Sequence, residues 1–151
     1  MKKLAIVVSL FITVLGVHAQ AVNNGGTTAT PAPDVLLIKD NSHNFGKIPQ
    51  GRPAVYTFEI VNTGTEALKL DNVQASCGCT TPVKPEGAIQ KGKDDVIKTG
   101  FNAAAAGPFN KSITIKVAGI QMPLQLHITG EVLTPDAYAK YEASKSTKGS
   151  R

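Results

Sequence analysis

The sequence predicts an all-β domain over residues 35–133, and three observations support this prediction. Short segments in which apolar and polar residues alternate recur along this range, as expected of half-buried strands. Turn-forming residues separate these segments about every 8 to 14 positions, and no helical period of about 3.6 residues occurs between them. About seven such segments in roughly 100 residues are typical of an immunoglobulin-like β-sandwich.

The clearest alternation is that of Tyr56, Phe58 and Ile60 with the polar residues between them. The chain has no Trp and five Phe, so the core is expected to be mostly Val, Ile and Leu. The segments predicted to be strands are residues 35–38, 43–48, 53–61, 67–73, 96–101, 109–117 and 124–132.

Three segments lie outside the predicted domain. Residues 1–19 combine two lysines, a largely apolar run of about 14 residues and a small residue at Ala19, which is typical of a cleaved signal peptide and too short for a membrane span. Residues 20–34 are mostly Asn, Gly, Thr, Ala and Pro and are interpreted as a flexible linker. Residues 134–151 form a basic tail in which a helix around residues 137–145 is the alternative, but the tail has no apolar face and is expected to be mostly disordered.

The signal peptide predicts an exported protein, located in the periplasm, on the cell surface or outside the cell. The whole chain has 16 basic and 11 acidic residues, but residues 34–133 hold 10 basic against 9 acidic ones. A nearly neutral domain with a basic tail does not present the basic patch that binds nucleic acid, so nucleic-acid binding is not expected. No stable membrane insertion is expected once the signal peptide is removed.

The only two cysteines, Cys77 and Cys79, flank Gly78. In a regular strand their Cα atoms would be about 6.6 Å apart, at the outer limit for a disulfide. A bend at Gly78 could bring them together, and so small a loop would make a redox-labile bridge rather than a strongly stabilising one. The favoured interpretation is that both are semi-buried residues, with their sulfurs apart, which end a strand at a tight turn.

A metal site is the other alternative for Cys77 and Cys79, because two thiolates on one face suit Cu(I) or half of a Zn(II) site. Zinc would need two more ligands, and nothing in the sequence places His43 or His127 near the cysteines. Both histidines are expected to have ordinary structural roles. No metal site is therefore assigned with certainty, and no cofactor is expected.

Several segments resemble a bacterial family known as domain of unknown function 1573. They are residues 43–51 (HNFGKIPQG), 58–64 (FEIVNTG), 72–82 (NVQASCGCTTP) and 107–113 (GPFNKSI). The resemblance covers residues 41–132 and implies an exported protein of Bacteroidetes-type bacteria with an immunoglobulin-like domain similar to those called ASH or HYDIN-like. It implies no enzymatic activity. Residues 103–106, four alanines, depart from the polar or basic residues usual in that family.

Two further sequence patterns are not assigned a function. Residues 87–94 have the glycine and lysine spacing of a phosphate-binding loop, but Asp94 stands where Ser or Thr would hold Mg²⁺, and β-like sequence follows. Asp94 and Asp95 have no converging second acid and are expected to be solvated.

The sequence therefore predicts a non-catalytic exported module of the cell envelope that binds an unidentified envelope protein, with its edge strands as the natural contact site. The alternative hypothesis is a periplasmic thiol-redox or soft-metal protein that uses Cys77 and Cys79.

Overall fold

A computed structural model describes residues 35–148, which form eight β-strands and one helix. The elements are β1 (Leu36–Ile38), β2 (Ser42–Pro49), β3 (Ala54–Asn62), β4 (Leu70–Ala75), β5 (Thr80–Val83), β6 (Asp94–Phe101), β7 (Gly107–Val117), β8 (Leu124–Leu133) and α1 (Pro135–Lys148). The predicted signal peptide (residues 1–19) and linker (residues 20–34) lie outside the described residues.

The strands form two four-stranded sheets. Sheet I has the order β1-β3-β6-β5, and all its pairs are antiparallel. Sheet II has the order β2-β8-β7-β4, and there β2 runs parallel to β8 with a break in register between Asn44 and Lys47. Two packed sheets with this alternation of inward and outward residues confirm the predicted immunoglobulin-like sandwich.

The core fills the space between the two sheets and is mostly aliphatic, as the composition predicts. Alternate residues of each central strand point inward, so β3 contributes Phe58 and Ile60 and β6 contributes Ile97 and Phe101. The other large apolar side chains that are fully buried are those of Leu70, Ile113, Ile115, Leu126, Ile128 and Val132.

The structure has one strand more than the seven predicted. The sequence after the cysteines was expected to be a turn and loop, whereas Thr80–Val83 forms the additional strand β5. It pairs with β6 despite Pro82, because an edge strand can place the missing N–H of proline on its unpaired side.

The expectation of a mostly disordered tail is wrong for Pro135–Lys148, which is the helix α1. Thr134 caps it: its carbonyl accepts from the amide of Tyr138 (2.8 Å), and its hydroxyl accepts from the amide of Ala137 (3.4 Å). Proline at the first helical position and Asp136 in the first turn favour the same start. The Lys47 ammonium lies 5.3 Å from the ring centre of Tyr141, which links the helix to β2.

None of the helices in residues 35–148 is long and apolar enough to cross a bilayer.

Candidate functional site: the cysteine turn and the outer sheet faces

The two cysteines lie where the chain passes from one sheet to the other. Strand β4 ends at Ala75 in sheet II, and β5 begins at Thr80 in sheet I. The four residues between them must therefore cross the sandwich within a very short turn. We call residues 76–80 the cysteine turn.

Cys77 and Cys79 form a disulfide, with their Cα atoms 5.3 Å apart. This distance is shorter than the about 6.6 Å of an extended strand and lies within the range that a disulfide needs. The favoured interpretation placed both cysteines at a tight turn but is wrong in holding the sulfurs apart, because the bend at Gly78 brings them together. The side chains of Cys77 and Cys79 are half-buried, and Gly78 is exposed.

Backbone hydrogen bonds anchor the cysteine turn independently of the disulfide. The amide of Ser76 donates to the carbonyl of Ser112 (2.9 Å), and the amide of Asn102 donates to the carbonyl of Cys79 (3.0 Å). The amide of Thr80 closes the turn on the carbonyl of Cys77 at 3.3 Å. The turn is thus bonded to both sheets.

The disulfide itself adds little to stability, since its cysteines are separated by only two positions. The chain-entropy relation gives under about 2 kcal/mol for so short a loop, compared with about 3 kcal/mol for a 15-residue one. A purely stabilising role therefore explains this bond poorly.

The predicted metal alternative would require the reduced protein, because disulfide sulfurs are not thiolate ligands. Within residues 35–148 no group of three or more His, Cys, Asp or Glu side chains is arranged to hold a metal ion. The metal hypothesis for Cys77 and Cys79 stays a prediction.

The two histidines lie on different strands. His43, in β2, stacks on Tyr56 of β3 with ring centres 3.6 Å apart and meets the edge of Phe45 at 4.6 Å. Burial among these rings lowers the pKa of His43 below 6.5. His127, in β8, is half-buried and pairs with Ser112 of β7 and Ser42 of β2.

The alanine segment, residues 103–106, lies beside the cysteine turn. A pocket of about 210 Å³ is lined by residues 104–106 of this segment together with Cys79, Phe101, Phe109 and Lys111. Ala103 is fully buried in a left-handed conformation (φ 50°), and its carbonyl accepts from the amide of Gly51 at 2.9 Å. Sequence reasoning missed this pocket, because only the folded chain brings the alanines to the cysteines.

The outer face of sheet I carries an apolar stripe. Leu37 of β1 lies opposite Val61 of β3, Val96 of β6 is diagonal to Val61, and Val83 of β5 is diagonal to Val96. Diagonal neighbours in adjacent strands are about 7–8 Å apart. Leu37, Val83 and Val96 are 52%, 58% and 43% exposed. We call these four residues the apolar stripe.

The outer face of sheet II is mostly polar, in contrast to the stripe. Register and burial place the following side chains on it: Asn44, Asn72, Gln74, Asn110, Ser112, Thr114, Lys116, Gln125, His127 and Thr129. The stripe could not be seen in the sequence, because its four members come from four strands whose pairing had to be known.

Three of the four edge strands, which were predicted as the contact site, carry features that hinder strand addition. β1 has three residues, and β5 has four, including Pro82. β2 is interrupted at Gly46 (φ 66°) and ends in Pro49. Short strands, bulges and prolines are the usual protection of sheet edges.

The two remaining patterns lie as predicted. Residues 84–93 connect β5 to β6 and contain most of the first pattern, and Ile89 in this loop is buried against Leu68 in an isolated bridge. Asp94 and Asp95 begin β6, where the carboxylate of Asp95 accepts from the amide of Val96 at 2.8 Å.

Solved structures share this fold at low identity. A protein of unknown function from Porphyromonas gingivalis W83 is 18% identical with a TM-score of 0.55; the match covers 64% of this chain and 46% of that one. The ASH/PapD-like domain 7 of human CEP192 is 11% identical with a TM-score of 0.51, covering 66% and 86%. The VesB protease of Vibrio cholerae is 15% identical with a TM-score of 0.51, covering 65% and 32%.

These likenesses show the fold alone, and the match spans less than half of the Porphyromonas protein. No curated protein matches the sequence. A family model, described as "Protein of unknown function (DUF1573)", matches residues 36–132, the range of the eight strands. Since this range is most of the chain, the protein belongs to the DUF1573 family.

Proposed function

We propose that this protein is an exported, non-catalytic module of the cell envelope that binds another folded protein through the outer face of sheet I. The apolar stripe is the observation that carries the proposal. Its residues lie on one face while the opposite outer face is mostly polar. Apolar side chains that extend across a whole sheet form a surface whose burial against a partner lowers the free energy.

The charges beside the stripe favour a protein partner over nucleic acid. Lys39 and Glu59 form an ion pair on this face, and Asp94 and Lys98 lie on β6 with alternate sign. A mixed, nearly neutral rim around an apolar centre resembles protein–protein interfaces, whereas nucleic acid selects a basic surface.

The size of the face limits the affinity. Four strands at about 4.8 Å and about seven residues of length give roughly 400 Å², against about 800 Å² per partner in a standard interface. The proposed contact is therefore weak and reversible unless the partner also contacts neighbouring loops.

Photo-crosslinking tests the proposed face. A crosslinking amino acid at Thr57, which lies on the outer face of sheet I, is expected to capture a partner in envelope extracts. The matched position Thr114, on the outer face of sheet II, is expected to capture none. Substituting Val83→Glu together with Val96→Glu should abolish the crosslink at position 57, while circular dichroism shows that the fold is kept.

Two results would contradict the proposed face. A crosslink from position 114 of equal yield would mean that the contact is not specific to sheet I, and a crosslink that survives the double substitution would mean that the stripe does not drive it. A crosslinked species with twice the mass of the chain would identify the partner as a second copy.

Export is tested separately. The pattern in residues 1–19 supports cleavage after Ala19, so N-terminal sequencing of the protein from the periplasmic fraction is expected to begin at Gln20. Protein that stays in the cytosol with Met1 intact would contradict export without affecting the contact face.

A further inference from the structure

The cysteine turn combines features that a structural disulfide does not need. Its bond closes a very short loop, yet backbone hydrogen bonds join Ser76 to Ser112 and Cys79 to Asn102 and so anchor the turn on both sides. Neither of these bonds involves a sulfur atom, so we expect both to remain when the sulfur–sulfur bond opens. The two sulfurs would therefore stay close together as thiols, which is the condition for reversible exchange.

The turn is also open to an incoming thiol. Gly78 is exposed, and a side chain added there would meet no atom within 4 Å. On the other side, Cys79 borders the pocket of about 210 Å³ lined by Phe101, Phe109 and residues 104–106. A cysteine of another protein could thus approach the disulfide while an apolar neighbour occupies this pocket.

Thr80 supplies the third feature. Its hydroxyl oxygen lies 3.8 Å from Sγ of Cys77 and 3.9 Å from Sγ of Cys79, and its side chain is only 4% exposed. Neither sulfur of a disulfide carries a proton, so in this state the hydroxyl is the only possible donor of the three groups. Whichever sulfur leaves as a thiolate has the same donor within reach.

We propose that Cys77 and Cys79 form a reversible dithiol–disulfide centre that exchanges two electrons with a dithiol of another protein, and that Thr80 is a positioning residue that stabilises the leaving thiolate. This inference is independent of the contact proposed for sheet I.

The exchange balances as two substitutions at sulfur. A thiolate of the partner attacks one sulfur of the bridge, a mixed disulfide forms, and the Cys77–Cys79 bond breaks with the other cysteine leaving as a thiolate that takes up the proton. The partner's second thiolate then attacks the partner's sulfur atom in the mixed disulfide. This forms the partner's disulfide and releases the remaining cysteine of this protein as a thiolate, which is protonated. The partner is oxidised to a disulfide, and Cys77 and Cys79 are reduced to two thiols.

Reduction of the intact protein with dithiothreitol, a small dithiol, tests the centre. Alkylation followed by mass spectrometry should show both thiols appearing together, and circular dichroism should show the same β-structure before and after. Oxidised dithiothreitol should restore the bridge. Unfolding on reduction, or a bridge that resists reduction until denaturant is added, would overturn the proposal.

The role of Thr80 is tested with two variants. Removing the hydroxyl in Thr80→Val should slow reduction by about three- to tenfold, the effect of one hydrogen bond, whereas Thr80→Ser should stay within about twofold of the original protein. The pH dependence of alkylation of the reduced protein separates this role from a structural one, because Thr80→Val should raise the pKa of the more reactive thiol. Equal rates and equal pH profiles in all three proteins would overturn the role of Thr80.

Discussion

Thr99 lies in the middle of β6 with its side chain fully buried. Its hydroxyl oxygen has no hydrogen-bond partner among the groups in residues 35–148. A buried hydroxyl without a partner loses its hydrogen bonds to water on folding and gains nothing in exchange. This single group therefore lowers the free energy of unfolding.

Replacing Thr99 with Val should stabilise the protein by about 1 kcal/mol, because valine has almost the same shape and no hydroxyl to desolvate. Urea denaturation should show a higher midpoint with an unchanged slope. Thr57→Val, at an exposed position of the neighbouring strand, is the matched control and should change the free energy of unfolding by less than about 0.5 kcal/mol. A lower midpoint for Thr99→Val would show that the hydroxyl has a partner.

His43 gives the protein a pH-dependent stability. Its pKa is lowered because it is buried against Phe45 and Tyr56, so the folded state holds the neutral imidazole. Above about pH 6.5 the ring is neutral in both states and contributes no slope. Between 6.5 and the lower folded pKa only the unfolded chain binds the proton, so the free energy of unfolding falls as the pH falls through this window.

An NMR titration of the imidazole signals should give His43 a midpoint below 6.5. Denaturation curves at several pH values should show the matching loss of stability, and His43→Gln should remove that part of the slope. A midpoint at or above 6.5 would contradict the shift.

Asn62 makes one contact that its local sequence indicates and one that it does not. Residues 62–65 (NTGT) have the composition of a turn, and the amide of Gly64 donates to Oδ1 of Asn62 at 2.9 Å. Asn62 is also fully buried, and its Nδ2 donates to the carbonyl of Ile89 at 2.7 Å. The local bond follows from local turn chemistry, but a partner 27 positions away depends on the tertiary fold.

Among the elements, strands could be predicted where an inward apolar residue alternates with an outward polar one. β3 and β7 followed this rule, and their predicted ranges agree with the structure within a few residues. β5 was missed because its four residues are too few for a period and contain Pro82. α1 was missed because it has no apolar face, although Thr134, Pro135 and Asp136 together form a helix start signal.

That start signal can be tested in α1. Thr134→Ala removes the hydroxyl that accepts from the amide of Ala137, so the first turn should lose about 0.5–1 kcal/mol. Hydrogen exchange should then be several-fold faster at the amides of α1 and unchanged in β8. Thr134→Ser keeps the acceptor and should exchange at nearly the original rate. Equal exchange in all three proteins would mean that the hydroxyl does not cap the helix.

At the scale of the whole molecule, two packed sheets could be predicted from the sequence, but the pairing of their strands could not. The core composition and the sandwich were predictable, since they follow from alternation and from the scarcity of aromatic residues. The cysteine bridge and the apolar stripe depend on which strands are neighbours. Ring contacts between the sheets are of the same kind: Phe101 of β6 stacks on Phe109 of β7 with ring centres 4.1 Å apart.

The contact between Phe101 and Phe109 should make a measurable contribution to holding the two sheets together. In a double-mutant cycle of Phe101→Leu and Phe109→Leu, the free energies of unfolding should deviate from additivity by about 0.5–1.5 kcal/mol, because each single change already removes the ring pair. Leu36→Ala combined with Phe109→Leu is the control. Leu36 lies beside Asn62 at one end of β3, whereas Phe101 lies beside Ala54 at the other end. The effects of Leu36→Ala and Phe109→Leu should therefore add. Additivity in both cycles would mean that the sheets are joined by aliphatic packing alone and that the stacked rings are not coupled.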